Sequence, residues 1–238
     1  MEWQRQVRYA ALLLSIVTAS ISAVQDQAQP ERARLVPISR AKFCVTKGAI
    51  EEAEGSRLEV TVPEMRAVVA YSTKPVAEAK LIYLGPTSKD KPLRSGQIRR
   101  QFGLKLRAQN GCNLVYAMWR IEPKSELVVS VKLNPGKTTN AECGTNGYSN
   151  IKPTRDLGAP RLKEGENHML RAEMEDTHMR VFIDGKLTWE GDLGRDVLSF
   201  DGPSGVRTDN GHFKFQFFSS EPISHRDNPP CHAAEQDE

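Results

Sequence analysis

Between residues 168 and 219 the side chains alternate with a period of two, and short breaks rich in Gly, Asn and Asp separate the alternating runs. His168, Leu170, Ala172 and Met174 alternate with Met169, Arg171, Glu173 and Glu175. Met179, Val181 and Ile183 alternate with Arg180, Phe182 and Asp184, and Phe213, Phe215 and Phe217 with Lys214, Gln216 and Phe218. Successive side chains of an extended chain point to opposite faces, so this pattern predicts strands with one buried face. Asp184-Gly185 lies between two apolar runs and predicts a hairpin, because glycine accepts the positive φ of a tight turn. Thr208-Asp209-Asn210-Gly211 predicts a further turn between antiparallel strands. A chain written this way has to cover one sheet face with another.

The same grammar runs upstream. Strands are expected over 57–62, 65–71 and 77–84, followed by a polar surface loop over 87–96 with Lys89, Asp90, Lys91, Pro92 and Gly96. Residues 102–108, 113–121 and 126–133 read as a three-stranded meander, with turns at Asn110-Gly111 and at Glu122-Pro123-Lys124-Ser125. Phe102, Leu104 and Leu106 share one face with Val115, Ala117, Trp119 and Ile121 and with Leu127, Val129, Val131 and Leu133. The sequence shows no heptad, internal repeat, low-complexity tract or convincing amphipathic helix, and the fold class it predicts is all-β.

The stretch VFIDGKLTWEGDL, followed by GPSGVRTDN and FKFQFF, resembles the C-terminal half of the concanavalin A-like lectin/glucanase superfamily, and the laminin G-like members in particular. The resemblance implies a two-sheet antiparallel β-sandwich, a jelly roll with one concave sheet. Lectins, adhesion modules, glycoside hydrolases and polysaccharide lyases share this scaffold, so it does not by itself select an activity.

The N-terminus, MEWQRQVRYAALLLSIVTASISA, has Arg5 and Arg8 ahead of an uncharged run that closes on Ser20, Ser22 and Ala23. This is the pattern of a secretory signal peptide over 1–23, too short and too hydroxylated for a spanning helix. It predicts a secreted or periplasmic protein that meets a membrane only during export. A polar leader over 24–40, a sandwich over 41–220 and an irregular tail over 221–238 complete the expected organisation. The four cysteines, Cys44, Cys112, Cys143 and Cys231, predict disulfides in an exported chain and allow three pairings. Because the resembling folds bring their chain ends together, the resemblance implies Cys44–Cys231 and Cys112–Cys143. No two cysteines are spaced as zinc ligands.

Basic charge is concentrated in the meander. Residues 99–137 hold eight Lys or Arg against Glu122 and Glu126, a local +6, whereas the whole chain carries +3. The outward face of the meander is expected to present Lys105, Arg107, Tyr116, Arg120, Ser130 and Lys132. Guanidinium forks match carboxylate and sulfate geometry, and an aromatic ring can lie under a sugar face, so the face suits an anionic polysaccharide. Its alternative is an ordinary solvated sheet. Export and the modest pI weigh against nucleic acid as a partner.

No catalytic signature stands out. Retaining glycosidases need an acid and a nucleophile a few ångströms apart, and the nearest acidic run, Glu173-Met174-Glu175-Asp176, reads as a solvated strand edge. Lyases on jelly rolls use Arg, Gln, His and Tyr; Arg107, Arg120, Tyr116 and His168 are the right types, although alternation places His168 on an apolar face. Arg207, Asp209 and Asn210 are similar to a Gly-(Val/Leu)-Arg-x-Asp-Asn element of sugar-active relatives, which makes Asp209 and Asn210 candidates to bind sugar hydroxyls or a structural calcium ion; they read equally as a turn with an ion pair. No other cofactor is implied. The functions open at this point are a secreted carbohydrate-binding module, a polysaccharide lyase or glycoside hydrolase, and an extracellular protein-adhesion module.

Overall fold

The computed structural model describes residues 34–222 apart from Ser72. The expected signal peptide over 1–23, most of the C-terminal tail and Cys231 lie outside the described residues, so the Cys44–Cys231 pairing is not addressed by them.

Among the described residues, sixteen strands form two antiparallel sheets. They are β1 (Leu35–Ile38), β2 (Phe43–Lys47), β3 (Glu51–Ala53), β4 (Arg57–Val60), β5 (Glu64–Val69), β6 (Val76–Pro86), β7 (Arg100–Leu106) and β8 (Leu114–Glu122), then β9 (Glu126–Lys132), β10 (Tyr148–Asn150), β11 (Arg155–Asp156), β12 (Asn167–Glu175), β13 (His178–Ile183), β14 (Lys186–Asp192), β15 (Gly205–Asp209) and β16 (Gly211–Ser220). A single turn of α-helix, α1 (Asn140–Cys143), sits between β9 and β10. The larger sheet runs β11-β14-β13-β12-β6-β16-β4-β3, with β1 also paired to β16; the smaller runs β10-β9-β8-β7-β15-β5-β2. This is the expected β-sandwich. The meander of β7, β8 and β9 and the β13–β14 hairpin are both present, the latter with positive φ at Asp184 (51°) and Gly185 (77°).

The core lies between the sheets and is built from the residues that alternation turns inward. Phe102 on β7 packs edge-to-face on Phe213 and Phe215 of β16, with ring centroids 5.2 and 5.5 Å apart. Phe43 meets Phe217 in the same geometry at 5.3 Å. Trp119 and Trp189 are fully buried, and the Trp119 indole donates to the Pro160 carbonyl at 3.1 Å. Each such side chain removed from water stabilises the fold by about 1.5–3 kcal/mol, which is what holds the two twisted sheets face to face.

Three expectations need correction. Residues 24–40 are not all leader, because Leu35–Ile38 pairs with Phe217–Ser220 at the open edge of β16. The short strands β2, β3, β10 and β11 were not legible, since runs such as Glu-Glu-Ala, Tyr-Ser-Asn and Arg-Asp carry no apolar alternation. The break at 208–211 is not a hairpin turn within one sheet: β15 belongs to the smaller sheet and β16 to the larger, and the chain changes sheets at Asn210. Asn210 has φ 52° and no exposed surface, its N–H donates to Pro63 O at 2.7 Å, and its carbonyl accepts from Thr87 N–H at 3.2 Å. Asparagine tolerates this left-handed conformation better than most residues. Gly211 follows because a Cβ there would lie 2.3 Å from the Phe213 ring.

Cys112 and Cys143 are joined, with Cα atoms 5.9 Å apart, tying the β7–β8 turn to α1 across 31 residues of sequence. The chain-entropy relation assigns a loop of that length about 3–4 kcal/mol. The double substitution Cys112→Ser/Cys143→Ser is therefore expected to lower unfolding free energy by about that amount in urea titrations, with little change in far-UV circular dichroism.

Candidate functional site

The outer face of the smaller sheet can be read as rows across its strands. Backbone pairing aligns Glu64, Asp209, Gln101, Arg120 and Glu126 in one row, and Arg66, Arg207, Gly103, Met118 and Val128 in the next. A third row holds Lys105, Tyr116, Ser130 and Asn150, and a fourth Leu114, Lys132 and Tyr148. Gly103 is required here: a Cβ would lie 2.2 Å from the Met118 sulfur, which lies over it.

Arg66 and Arg207 stand directly opposite each other, a pairing of like charges that destabilises a sheet unless compensated. Asp209 compensates it. Its Oδ1 accepts from Arg66 at 2.5 Å, and its Oδ2 accepts from Arg207 Nε at 2.9 Å and from Gln101 Nε2 at 2.5 Å. Burial would raise the Asp209 pKa, but the two guanidiniums and the amide hold it far below the ordinary carboxylate range. Burial likewise opposes the Arg207 charge, and Asp209 with the nearby tyrosines more than offsets it. The Arg207 guanidinium lies 5.2 Å from the Tyr116 ring centroid, Tyr116 stacks on Tyr148 at 6.1 Å, and Lys132 Nζ lies 5.2 Å from the Tyr148 ring. Each of the two rings thus has a cation over it.

Over this face lies a groove of about 330 Å³. One wall is the end of the β6–β7 loop, with Leu93, Arg94, Ser95 and Arg99. Asn210 secures that loop from behind: its side chain accepts from Lys91 N–H at 2.7 Å and donates to the carbonyls of Lys91 (2.9 Å) and Arg99 (3.0 Å). The other wall is α1 with its flanks, contributing Asn140, Gly144, Thr145 and Tyr148. Thr139 and Glu142 form a capping box at α1, and backbone donors from Thr139 and Thr138 pull the Glu142 pKa down to about 2. Arg94 reaches across to the Asn140 carbonyl at 3.2 Å, so the walls touch at one point.

The groove is cationic. Lys47, Arg66, Arg94, Arg99, Arg120, Lys132 and Arg207 line it, with Glu64 as the acidic lining residue. Counting Asp209 and Glu126, which pair with Arg66 and Arg120, seven cations meet three carboxylates, a net of four positive charges. Burial, together with repulsion from Arg120 and Arg207, lowers the Arg99 pKa. Like charges converging on an open space make a strong anion-binding field.

Of the residues expected at a site, Tyr116, Arg120, Ser130, Lys132 and Arg207 line the groove. Lys105 faces the same side of the sheet but is buried and lies outside the lining. Arg107 does not join it: with φ 49° it leaves the strand geometry, and its guanidinium donates to Phe200 O at 2.9 and 2.6 Å. Asp209 and Asn210 point no free group at a ligand. The hydrogen bonds of Asp209 are with Arg66, Gln101 and Arg207, donors within the sheet. The set Arg107, Arg120, Tyr116 and His168 is not assembled, because His168 belongs to the larger sheet, with Nδ1 2.8 Å from Asp184 and its ring against Trp119. Sequence reading missed Lys47, Arg66, Arg94, Gln101 and Tyr148. Arg66 and Gln101 sit at polar positions of alternating strands, but only the pairing of β5 and β7 with β15 brings them together. Among the described residues, no three His, Cys, Asp or Glu side chains are grouped to hold a metal.

No protein-family profile matches the chain, and no curated protein matches it in sequence. Solved structures do match in shape. A carbohydrate-binding module, CBM66, from Bacillus subtilis superposes with a TM-score of 0.51 at 12% identity, over 73% of this chain and 91% of that one. A putative glycosyl hydrolase from Parabacteroides distasonis gives 0.48 at 10% identity, over 77% and 90%. The galectin LEC-6 of Caenorhabditis elegans gives 0.39 at 12%, over 77% and 99%. The two antiparallel sheets and the first of these superpositions give the chain a jelly-roll β-sandwich fold.

The Asp209 carboxylate is the point most sensitive to change. Asp209→Asn leaves two buried or half-buried guanidiniums short of a counter-charge, and a loss of about 3–5 kcal/mol is expected in urea unfolding. Its folded pKa lies below its unfolded value of about 3.9, so its stabilisation is complete above the ordinary carboxylate range and is lost progressively as pH falls from there down through the folded pKa. Unfolding measured at pH 6, 4 and 3 should show wild-type protein losing stability with acid more steeply than Asp209→Asn.

Proposed function

We propose that this chain is an exported carbohydrate-binding module that holds an anionic polysaccharide in the groove over its smaller sheet. The observation that carries this reading is the convergence of Arg99, Arg120 and Arg207 on one open space, beside the stacked pair Tyr116 and Tyr148. Guanidinium forks take carboxylates or sulfates with charge-assisted hydrogen bonds. Tyr148 is 41% exposed, with Tyr116 stacked on its ring and Lys132 Nζ 5.2 Å from the ring centroid, and the exposed part of the ring can contact a pyranose. The likeness to a carbohydrate-binding module supports the assignment at the level of fold. The signal-like N-terminus and the Cys112–Cys143 bridge support a secreted or periplasmic location.

The groove's carboxylates are engaged in ion pairs: Glu64 with Lys47 and Lys91, Asp209 with Arg66 and Arg207, Glu126 with Arg120 and Lys124. Binding of a charged polymer is the reading these contacts favour.

Calorimetry of the mature protein against polygalacturonate, alginate and chondroitin sulfate, with dextran as the neutral control, tests it. Binding to at least one acidic polymer is expected at low ionic strength, weakening as salt rises past the point where the Debye length falls below about 8 Å. Arg99→Ala/Arg120→Ala should weaken it by about 10- to 100-fold, the span of one or two charged hydrogen bonds. Equal affinity for dextran, or no polysaccharide bound at low salt, would refute the assignment.

A further inference from the structure

The chain contains three Asn-Gly pairs, Asn110-Gly111, Asn146-Gly147 and Asn210-Gly211, and the fold holds them differently. An asparagine followed by glycine is open to attack on its own side chain, because no Cβ on the next residue shields the backbone nitrogen. Two of the pairs are locked. Asn110 Oδ1 accepts from the backbone N–H groups of Cys112 and Asn113 at 2.9 and 3.0 Å and from Asn113 Nδ2 at 3.2 Å. Asn210 is fully buried, and its amide holds Lys91 and Arg99. Closing an imide ring at either position breaks these contacts. Asn146 and Gly147 are both exposed. The hydrogen bonds at Asn146 run through its backbone, and its side chain makes none among the described residues.

Two features of the fold favour reaction at this pair. Gly147 has φ 75°, and a Cβ there would lie 2.4 Å from both Leu133 O and Asn134 Nδ2, so packing keeps the position a glycine. The Asn146 carbonyl accepts from Asn134 Nδ2 at 3.1 Å. That oxygen and the Gly147 nitrogen belong to one peptide group, so a donor on the oxygen stabilises the negative charge that develops when the nitrogen gives up its proton.

We infer that Asn146 is a site of spontaneous deamidation at the edge of the groove, and that its conversion lowers the groove's affinity for an anionic polymer. The Gly147 nitrogen loses its proton and bonds to Asn146 Cγ; the Cγ–Nδ2 bond breaks, and the amide leaves as ammonia with that proton. Water then opens the succinimide ring. Cleavage at Cγ gives aspartate, and cleavage at the backbone carbonyl gives isoaspartate, with the chain rerouted through the side chain. Either way an amide and a water become a carboxylate and ammonium. The new charge stands between Thr145 and Tyr148, both of which line the groove, and a like charge there opposes an anionic ligand. The effect on affinity rests on the carbohydrate reading above; the site of modification does not.

The test ages the intact mature protein in mildly alkaline buffer and follows it by peptide mass mapping. The same samples are titrated with whichever of polygalacturonate, alginate and chondroitin sulfate the fresh protein binds best. Asn146 should convert, with isoaspartate among its products, at least about 10-fold faster than Asn110 or Asn210, the equivalent of one or two hydrogen bonds that those residues must break. Asn146→Asp should weaken binding by about 1.5- to 5-fold, the reach of a single exposed charge, and fully aged wild-type protein should lose at least as much. Asn146→Gln keeps the amide on a side chain too long for ready closure, and should hold its affinity on ageing. An unconverted Asn146, or conversion at Asn110 or Asn210 at the same rate, would overturn the site. Undiminished affinity in converted protein and in Asn146→Asp would overturn its effect on binding. Failure of the fresh protein to bind any of the polymers would remove the carbohydrate reading instead, and the mass map would still decide the site.

Discussion

Two arginines on neighbouring strands share one buried carboxylate, and much of the smaller sheet's outer face depends on that arrangement. Arg66 and Arg207 could not stand opposite each other without Asp209 between them. With it, Arg207 is held where its guanidinium lies over Tyr116, and Gln101 is held by its amide nitrogen. A buried ion pair is a weak source of net stability, because desolvation offsets most of the attraction. Here it sets orientation: it fixes the directions of three side chains that would otherwise have several rotamers each.

Asn210 does for the walls what Asp209 does for the floor. It is the one-residue link between β15 in the smaller sheet and β16 in the larger, and its side chain reaches back to hold both Lys91 and Arg99. Adjacent residues therefore serve opposite ends of the groove, one by charge and one by neutral hydrogen bonds. The left-handed backbone at Asn210 makes this possible, since it lets consecutive side chains leave the strand in directions that extended geometry would not allow.

The period-two alternation made the sandwich legible, because inward and outward faces are local properties of a strand. Phe213, Phe215 and Phe217, or Val115, Ala117 and Trp119, need no knowledge of their partners to be placed inside. The meander's contribution to the groove was legible for the same reason: Tyr116, Arg120 and Lys132 belong to strands that follow one another in the chain. Arg66 and Gln101 were not, since their proximity to Asp209 depends on β15 pairing between β5 and β7, over separations of more than a hundred residues. Arg107 misled because alternation was extended one residue past the end of β7, where the backbone has already turned. The turn-like residues at 208–211 were identified correctly as a change of direction, but a change of direction within a sheet and a passage between sheets use the same residue types.

The bridge between Cys112 and Cys143 has a meaning for recognition as well as for folding. It fastens α1, and with it Asn140, Gly144 and Thr145, to the turn that begins β8. A wall built from a free loop would have to give up its freedom each time a ligand arrived, and affinity would fall by that amount. Cross-linked in advance, this wall surrenders its disorder once, when the chain folds and oxidises. On the proposed binding, the groove would meet its ligand as a nearly finished mould, and association would show a smaller entropic penalty than its polar, loop-built rim would suggest.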